Sequence, residues 1–238
     1  KSFDHIILGT SIQSVVHLDI IRQAKELNIR TTCCLEHWKN YLKRFWHPTL
    51  EELIFPNDLI VYDLRSFRMA NSVREIRDNC TIRLERNKYR YHMVTKIKQS
   101  YALIGTEVRN SALFISEPAS KFVDQDDPNE FDAFKSLLEL FAISQKHHYS
   151  NMILCMHPSE GNDSKKKYQD IGKNYDLTFD FVDSLYAVDF SKVTRVYGRD
   201  SMALELTADA EIPTYTVFHS NSKYLTLGSK YLKFLDIC

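Results

Sequence analysis

Two stretches, Asn151 to Gly161 (NMILCMHPSEG) and Tyr197 to Phe218 (YGRDSMALELTADAEIPTYTVF), decide how this chain is read. Each is an apolar run that breaks abruptly into polar residues, the sequence image of a buried strand ending in a loop. In the first, Met152 to Met156 has the length and apolar content of a strand covered on both faces, and it delivers His157 and Pro158 at its carboxyl end. Open α/β sheets bind ligands just outside the carboxyl ends of their strands. In the second, Gly198 breaks the chain and Arg199, Asp200 and Ser201 open a helix. Met202, Leu204, Leu206 and Ala210 carry that helix to Pro213, and Thr214 to Phe218 is the last strand. Backbone amides at such a helix start favour phosphate.

Working outward, Ala112 to Ser116 is the strand before the His-Pro strand, and Ser116-Glu117-Pro118 ends it as His157-Pro158 ends the next. Between them, the acidic stretch Asp124 to Asp132 is expected to be a solvated loop capping a helix Glu130 to Lys146. Phe131, Phe134, Leu137, Leu138 and Phe141 are that helix's buried stripe, and His147 and His148 follow it. The acids show no defined cation spacing, so no metal is required. Lys165, Lys166 and Lys167 read as a solvated positive face. Tyr175 to Phe181 alternates strictly, as a half-buried strand near a sheet edge does. Asp183 to Val188 reads as a short helix, Val193 to Tyr197 as a strand, and Ser222 to Phe234 as a closing helix.

Toward the amino terminus, Phe3 to Leu8 is a short strand broken at Gly9, with Thr10 and Ser11 as N-cap candidates for a helix through about Leu27. Val15, Leu18, Ile21 and Ala24, with Val16 and Ile20, form its stripe, and Asn28 stops it. Thr31 to Leu35 is the next strand, ending in Glu36-His37-Trp38. Strand, helix, strand is one βαβ unit, so the two strands are parallel and their ends, Gly9 to Ser11 and Glu36 to Trp38, share one sheet edge. Asp58 to Asp63 and Asn79 to Leu84 are further strands around a helix Arg65 to Arg77. Asn87 to Ile104 interleaves Tyr89, Arg90, Tyr91, His92, Lys96 and Lys98, and reads as a solvated amphipathic helix. The glycine-containing loop 104–110 (IGTEVRN) precedes a new strand, which sets a boundary between domains 1–108 and 109–238.

Composition excludes several classes. With 44% hydrophobic and 26% charged residues, the 238-residue chain has the make-up of a globular protein rather than a disordered one. Lys+Arg and Asp+Glu are 31 each, which argues against general nucleic-acid binding because phosphate-backbone binders carry a basic excess. The five cysteines are odd in number and form no C-x-x-C pair, and Cys33, Cys34 and Cys155 lie inside apolar runs. Buried free thiols in a reducing, cytoplasmic compartment fit best. No P-loop, G-x-G-x-x-G, H-E-x-x-H or G-x-S-x-G occurs, so NTP hydrolysis, dinucleotide redox, zincin and α/β-hydrolase chemistry lose their usual support.

The His-Pro strand end followed by a Ser-containing helix start resembles the carboxyl-terminal half of GT-B glycosyltransferases, especially bacterial sialyl-, polysialyl- and Kdo-transferase-like enzymes. The Gly-Thr-Ser turn, the acid-His-Trp element and the Arg44-Phe45 segment resemble the amino-terminal domain of the same group. The resemblance implies two Rossmann-like α/β domains, the first truncated or minimal, since only about 10 residues precede its Gly-Thr-Ser turn against roughly 30 for a βαβ unit. It implies a glycosyltransferase that takes a CMP- or UDP-linked sugar to a glycan or lipid-linked acceptor in surface-polysaccharide biosynthesis. Ser116, Glu117, His157, Pro158, Ser201 and Met202 would hold the nucleotide sugar, a co-substrate rather than a cofactor. Gly9, Thr10 and Ser11 would line the acceptor side, with Glu36 or His37 as the base. The alternative is a non-catalytic nucleotide- or glycan-binding relative acting in polysaccharide assembly. Peripheral membrane association and oligomeric state stay open.

Overall fold

The computed structural model describes residues 3–12, 14–35, 40–103, 109–117, 129–144, 149–175, 177–199, 201–217 and 231–235. They form two compact α/β units, Lys1–Lys88 and Tyr89–Cys238.

The first unit opens with β1 (His5–Gly9), α1 (Val16–Glu26) and β2 (Arg30–Leu35), with β1 and β2 parallel from His5↔Arg30 to Gly9↔Cys34. Leu18, Ile21 and Ala24 bury the inner face of α1 together with His17, whereas Val16 is 60% exposed. The helix starts later than Thr10 and Ser11 suggest. Ser11 Oγ accepts from Ser14 N at 3.2 Å, so its hydroxyl closes a local turn instead of capping the helix. Asn28 does end the helix, in the left-handed region at φ 56°, and Ile29 N donates to Ala24 O at 2.8 Å. A short antiparallel pair follows, β3 (Trp46–His47) with β4 (Glu52–Leu53), then β5 (Asp58–Val61), α2 (Leu64–Ser72), α3 (Arg74–Asn79) and β6 (Thr81–Leu84). The helix expected over Arg65–Arg77 is thus two, broken at Val73, whose extended backbone (ψ 108°) lets α3 start anew. The sheet order is β1-β2-β5-β6, all parallel, so the chain crosses it without reversing direction. Asp58 joins the strands near their amino ends, accepting two bonds from Arg30 (2.6 and 2.8 Å) and pairing with Arg83 at 3.0 Å.

The second unit begins with α4 (Lys88–Ala102). Arg90 on α4 pairs with Glu205 and Asp209, and Lys98 with Glu211, which ties this helix to the second unit although it precedes the 104–110 loop. Basic residues of the aromatic-basic stretch are thus matched by acids of their own unit. Then come β7 (Ser111–Ile115), α5 (Glu130–Ile143), β8 (Asn151–Cys155), α6 (Asn162–Gly172) and β9 (Thr178–Val182). They are followed by β10 (Val193–Gly198), α7 (Met202–Asp209), β11 (Thr214–Thr216) and β12 (Leu232–Phe234). All six strands are parallel, in the order β9-β8-β7-β10-β11-β12. β12 corrects the closing helix expected over Ser222–Phe234. Residues 222–230 lie outside those described, and Leu232–Phe234 pairs with β11 as an edge strand.

The core of this unit lies between the sheet and helices α5 and α6. Ala133, Phe134, Leu137, Leu138 and Phe141 of α5 pack with Phe114 and Ala112 of β7, Met152 and Leu154 of β8, and Tyr168 of α6. Phe134 meets Phe114 and Tyr168 at 5.0 Å between ring centres, each an edge-on contact. Each such side chain contributes about 1.5 to 3 kcal/mol by leaving water, which holds α5 and α6 on one face and fixes their amino ends near the strand termini. On β9 the alternation is as expected: Phe179 and Phe181 pack on the core and Thr178 and Asp180 face out.

Candidate functional site

From β7 the chain steps outward to β8 and β9, then returns to the other side of β7 as β10 and steps outward again to β11 and β12. The direction reverses between β7 and β10, and in open α/β sheets the crevice outside the carboxyl ends of the strands at such a reversal is where ligands bind. β7 ends in Ser116 and Glu117, and β10 in Gly198 and Arg199, followed by Ser201 at the start of α7. β8, on the far side of β7, ends in Met156 and His157. The strand ends carry Ser116, Glu117, His157, Pro158, Ser201 and Met202, the residues expected from sequence.

The strands approach closely here. A Cβ at Gly198 would stand 2.8 Å from the Ile115 carbonyl oxygen, so only glycine lets β10 run this near β7. Ser201 caps α7, its Oγ accepting from Ala203 N at 3.1 Å. Asp200 lies outside the described residues.

At the β8 end, Pro158 and Ser159 sit in a turn closed by Glu160 N donating to His157 O at 2.8 Å. Within it, Ser159 N donates to His157 Nδ1 at 3.1 Å, with the Ser159 hydroxyl 2.9 Å from the same nitrogen. An amide can only donate, so Nδ1 is the acceptor and the neutral ring carries its proton on Nε2. The Glu160 carboxylate folds back over the turn: Oε2 accepts from His157 N at 3.1 Å and from the Ser116 hydroxyl. Ser116 Oγ in turn accepts from His157 N at 2.9 Å and lies 3.2 Å from Cys155 O. Ser116 is buried and bonded to protein on every side, and it reaches the loop surface through His157.

Beneath these residues lies a buried polar cluster that sequence reasoning missed. Glu130, the first residue of α5 and 0% exposed, accepts from Glu117 N at 3.1 Å through Oε1, while Oε2 stands 4.0 Å from Arg199 Nε. One carboxyl group thereby links the β7 end to the β10 end across the reversal. Burial, then the neighbouring Glu117 charge, raises the Glu130 pKa well above the usual carboxylate range, with Arg199 and the Glu117 amide opposing. Burial likewise raises Glu160, against the bonds from Ser116 and His157. The Tyr168 hydroxyl is buried beside both acids and its pKa is raised by burial and by their charges. Glu130 Oε2, Glu160 Oε1 and Tyr168 Oη have no hydrogen-bond partner among the described residues. Cys155, ending β8, is pushed up to about 12 by burial and is a thiol, not a nucleophilic thiolate, at neutral pH.

The sequence offered only partial signals for this cluster. Glu130 follows an N-cap, Asn129, whose Oδ1 accepts from Phe131 N and Asp132 N, so the expectation that this stretch caps α5 holds at its end. The solvated character expected for Glu130 does not hold, because its side chain turns under Glu117 rather than into water. Glu160 stands three residues after His157, the spacing of a turn, but its bond to Ser116 spans 44 residues and no local pattern encodes it.

In the first unit, Gly9, Thr10 and Ser11 end β1 beside the carboxyl end of β2, as the βαβ reading requires. Arg44, nearly buried, directs Nη1 to Thr10 Oγ1 at 3.3 Å, and its carbonyl accepts from His17 Nε2 at 2.8 Å. At Gly9 nothing lies within 4 Å of where a Cβ would stand. Glu36 and His37, the expected base candidates, lie outside the described residues, as does Trp38. No helix among the described residues is long and apolar enough to cross a membrane.

Two Rossmann-like units, each built on a parallel sheet and the second with its strand order reversed around β7, place the chain in the GT-B-like class of α/β folds. No protein-family model matches the sequence, and no curated protein matches it. Its fold is similar to the UDP-GlcNAc 2-epimerase of Methanocaldococcus jannaschii, at TM-score 0.56 and 12% identity over 99% of this chain and 67% of that one. The same epimerase in complex with UDP-GlcNAc and UDP gives TM-score 0.53 and 12% identity over 98% and 65%. A chain of the accessory secretory protein 1, 2 and 3 structure from Streptococcus pneumoniae gives TM-score 0.50 and 12% identity over 100% and 44%. This chain thus spans about two thirds of the epimerase chains and under half of the streptococcal one.

Proposed function

We propose that this protein binds a nucleotide sugar, CMP- or UDP-linked, at the carboxyl ends of β7, β8 and β10 and transfers the sugar to a glycan or lipid-linked acceptor. The observation that carries the reading is the reversal of strand order between β7 and β10, with His157 and the start of α7 beside it. A fold shared with an epimerase crystallised with UDP-GlcNAc and UDP supports it.

The chemistry follows from the groups present. His157 Nε2–H donates to a phosphate oxygen, and so do the Ser201 hydroxyl and the Met202 amide at the start of α7. These donors stabilise the charge that grows on the leaving phosphate as its bond to the anomeric carbon breaks. The acceptor hydroxyl forms the new bond to that carbon and gives its proton to Glu36 or His37. Glu117 stands at the reversal for the ribose or the sugar hydroxyls, and Ser116 orders the His157 loop. Gly9, Thr10 and Ser11 lie on the acceptor side. No step in this scheme is assigned to a metal.

Thermal shift with CMP, UDP and ADP tests the binding. Stabilisation by at least one pyrimidine nucleotide is expected, and none by any of the three refutes the reading. His157→Ala and Ser201→Ala should each weaken binding by about 1.5 to 3 kcal/mol, one charge-assisted hydrogen bond. Following nucleotide release from a panel of CMP- and UDP-sugars by mass spectrometry separates transfer from binding without turnover.

A further inference from the structure

We infer that Glu160 is the positioning residue of this nucleotide site, holding the His157 backbone and the Ser116 hydroxyl so that the imidazole stands in one orientation with its proton on Nε2. The inference rests on the nucleotide reading above. Its carrying observation is geometric: within the site, Oε2 of one carboxylate receives both the His157 amide (3.1 Å) and the Ser116 hydroxyl, from the ends of strands that are neighbours in the sheet, the two donors being 41 residues apart.

Each part of His157 is fixed separately. Its amide is held by Glu160 Oε2 and by Ser116 Oγ at 2.9 Å. Its ring is held at Nδ1 by the Ser159 amide and hydroxyl. Its carbonyl is held by the Glu160 amide at 2.8 Å, across a turn in which Pro158 has a fixed φ. Two of these contacts are made by Glu160 itself, one by its carboxylate and one by its amide, and the two from Ser159 lie in the turn between them. Hydrogen bonds to an ionised acceptor are roughly twice as strong as those between neutral groups, so the carboxylate is the dominant restraint. Without it the Ser116 hydroxyl turns to Cys155 O, already 3.2 Å away, and the His157 amide keeps one neutral acceptor. The turn then loosens, Ser159 leaves Nδ1, and the ring samples both tautomers. A donor at Nε2 aimed at phosphate is lost for part of the population, with no ligand contact removed.

The test uses the full chain carrying Glu160→Ala, Glu160→Gln, His157→Ala and the Glu160→Ala/His157→Ala double variant. Two readouts are taken: CMP and UDP affinity by calorimetry, and the His157 ring nitrogens by 15N NMR without nucleotide. Glu160→Ala should weaken nucleotide binding by about tenfold to a hundredfold. Glu160→Gln should recover most of that loss, because its amide oxygen accepts from the same donors. The double variant should bind no more weakly than His157→Ala, since both changes act through one ring. A merely structural role predicts a lower Tm with affinity unchanged, or additive losses, and either result overturns the inference. If the unsubstituted protein binds neither nucleotide, the binding reading fails but the spectra still decide. Departure of His157 from the Nε2–H form in Glu160→Ala supports positioning, and an unchanged spectrum overturns it. Should Glu160→Ala not fold, Glu160→Asp, one methylene short of the same donors, takes its place in both readouts.

Discussion

Glu130 and Asp58 are both buried carboxyl groups, and their surroundings push them in opposite directions. Asp58 accepts from Arg30 and pairs with Arg83, and the Arg30 bonds hold its pKa below the ordinary value in spite of burial. Its stabilising effect is therefore present above the ordinary aspartate pKa and lost as pH falls through the lowered one. For Glu130, burial outweighs Arg199 at 4.0 Å, and the folded protein favours the protonated form. Its contribution is fully present below the ordinary glutamate value of 4.5 and is lost as pH rises through the raised folded value. Glu130→Gln keeps an oxygen for the Glu117 amide and removes the titration. The Tm of the unsubstituted protein should accordingly fall relative to Glu130→Gln as pH rises above the ordinary glutamate value of 4.5. A difference independent of pH would show that Glu130 stays charged throughout. At this scale the sequence is least informative. His157 and Ser201 could be read because each sits where a strand or helix meets a loop. Glu130 looked like one acid of a solvated run, since nothing local reveals that its side chain folds under Glu117 at the end of β7.

The elements were more legible, and the misses have physical causes. Strands β7, β8 and β10 are short, apolar and bounded by polar residues, so their ends could be read within a residue or two. The α6 helix was obscured by Lys165, Lys166 and Lys167, yet its inner face needs only Tyr168 and Ile171. Two of the lysines lie over aromatic rings, Lys165 on Phe181 at 4.8 Å and Lys167 on Phe131 at 5.1 Å, so their stems help cover the core. β12 was mistaken for the end of a helix because an apolar run of a few residues fits either period. Gly198 is the element-scale prediction. Its replacement by Ala puts a methyl 2.8 Å from the Ile115 carbonyl, a backbone group that yields only if β10 moves away from β7. Gly198→Ala should destabilise by about 1 to 3 kcal/mol and weaken nucleotide binding with it, because the strand ends that flank the site separate. Gly9→Ala, where nothing lies within 4 Å, should leave Tm nearly unchanged. Equal effects in denaturant titrations of the two variants would contradict this account of β10.

At the scale of the whole chain, the two sheets differ in how the chain runs through them. The second reverses its strand order between β7 and β10, the position at which open α/β sheets hold ligands, while the described strands of the first run in one direction and bring Gly9, Thr10 and Ser11 to a shared edge with the end of β2. The βαβ pattern made that parallel pairing readable from sequence, whereas the reversal in the second unit depends on which strand returns beside β7, a choice no local pattern records. If the first unit supplies the base, Glu36→Gln or His37→Ala should cut transfer by roughly 100- to 10,000-fold while leaving nucleotide affinity intact, because the lost group acts on the acceptor. His157→Ala should do the reverse in binding assays, raising the nucleotide Kd. Lys166→Ala, on the exposed side of α6, is the control and should change neither. Transfer that survives in both Glu36→Gln and His37→Ala, with only Tm altered, would make those residues structural and place the base elsewhere.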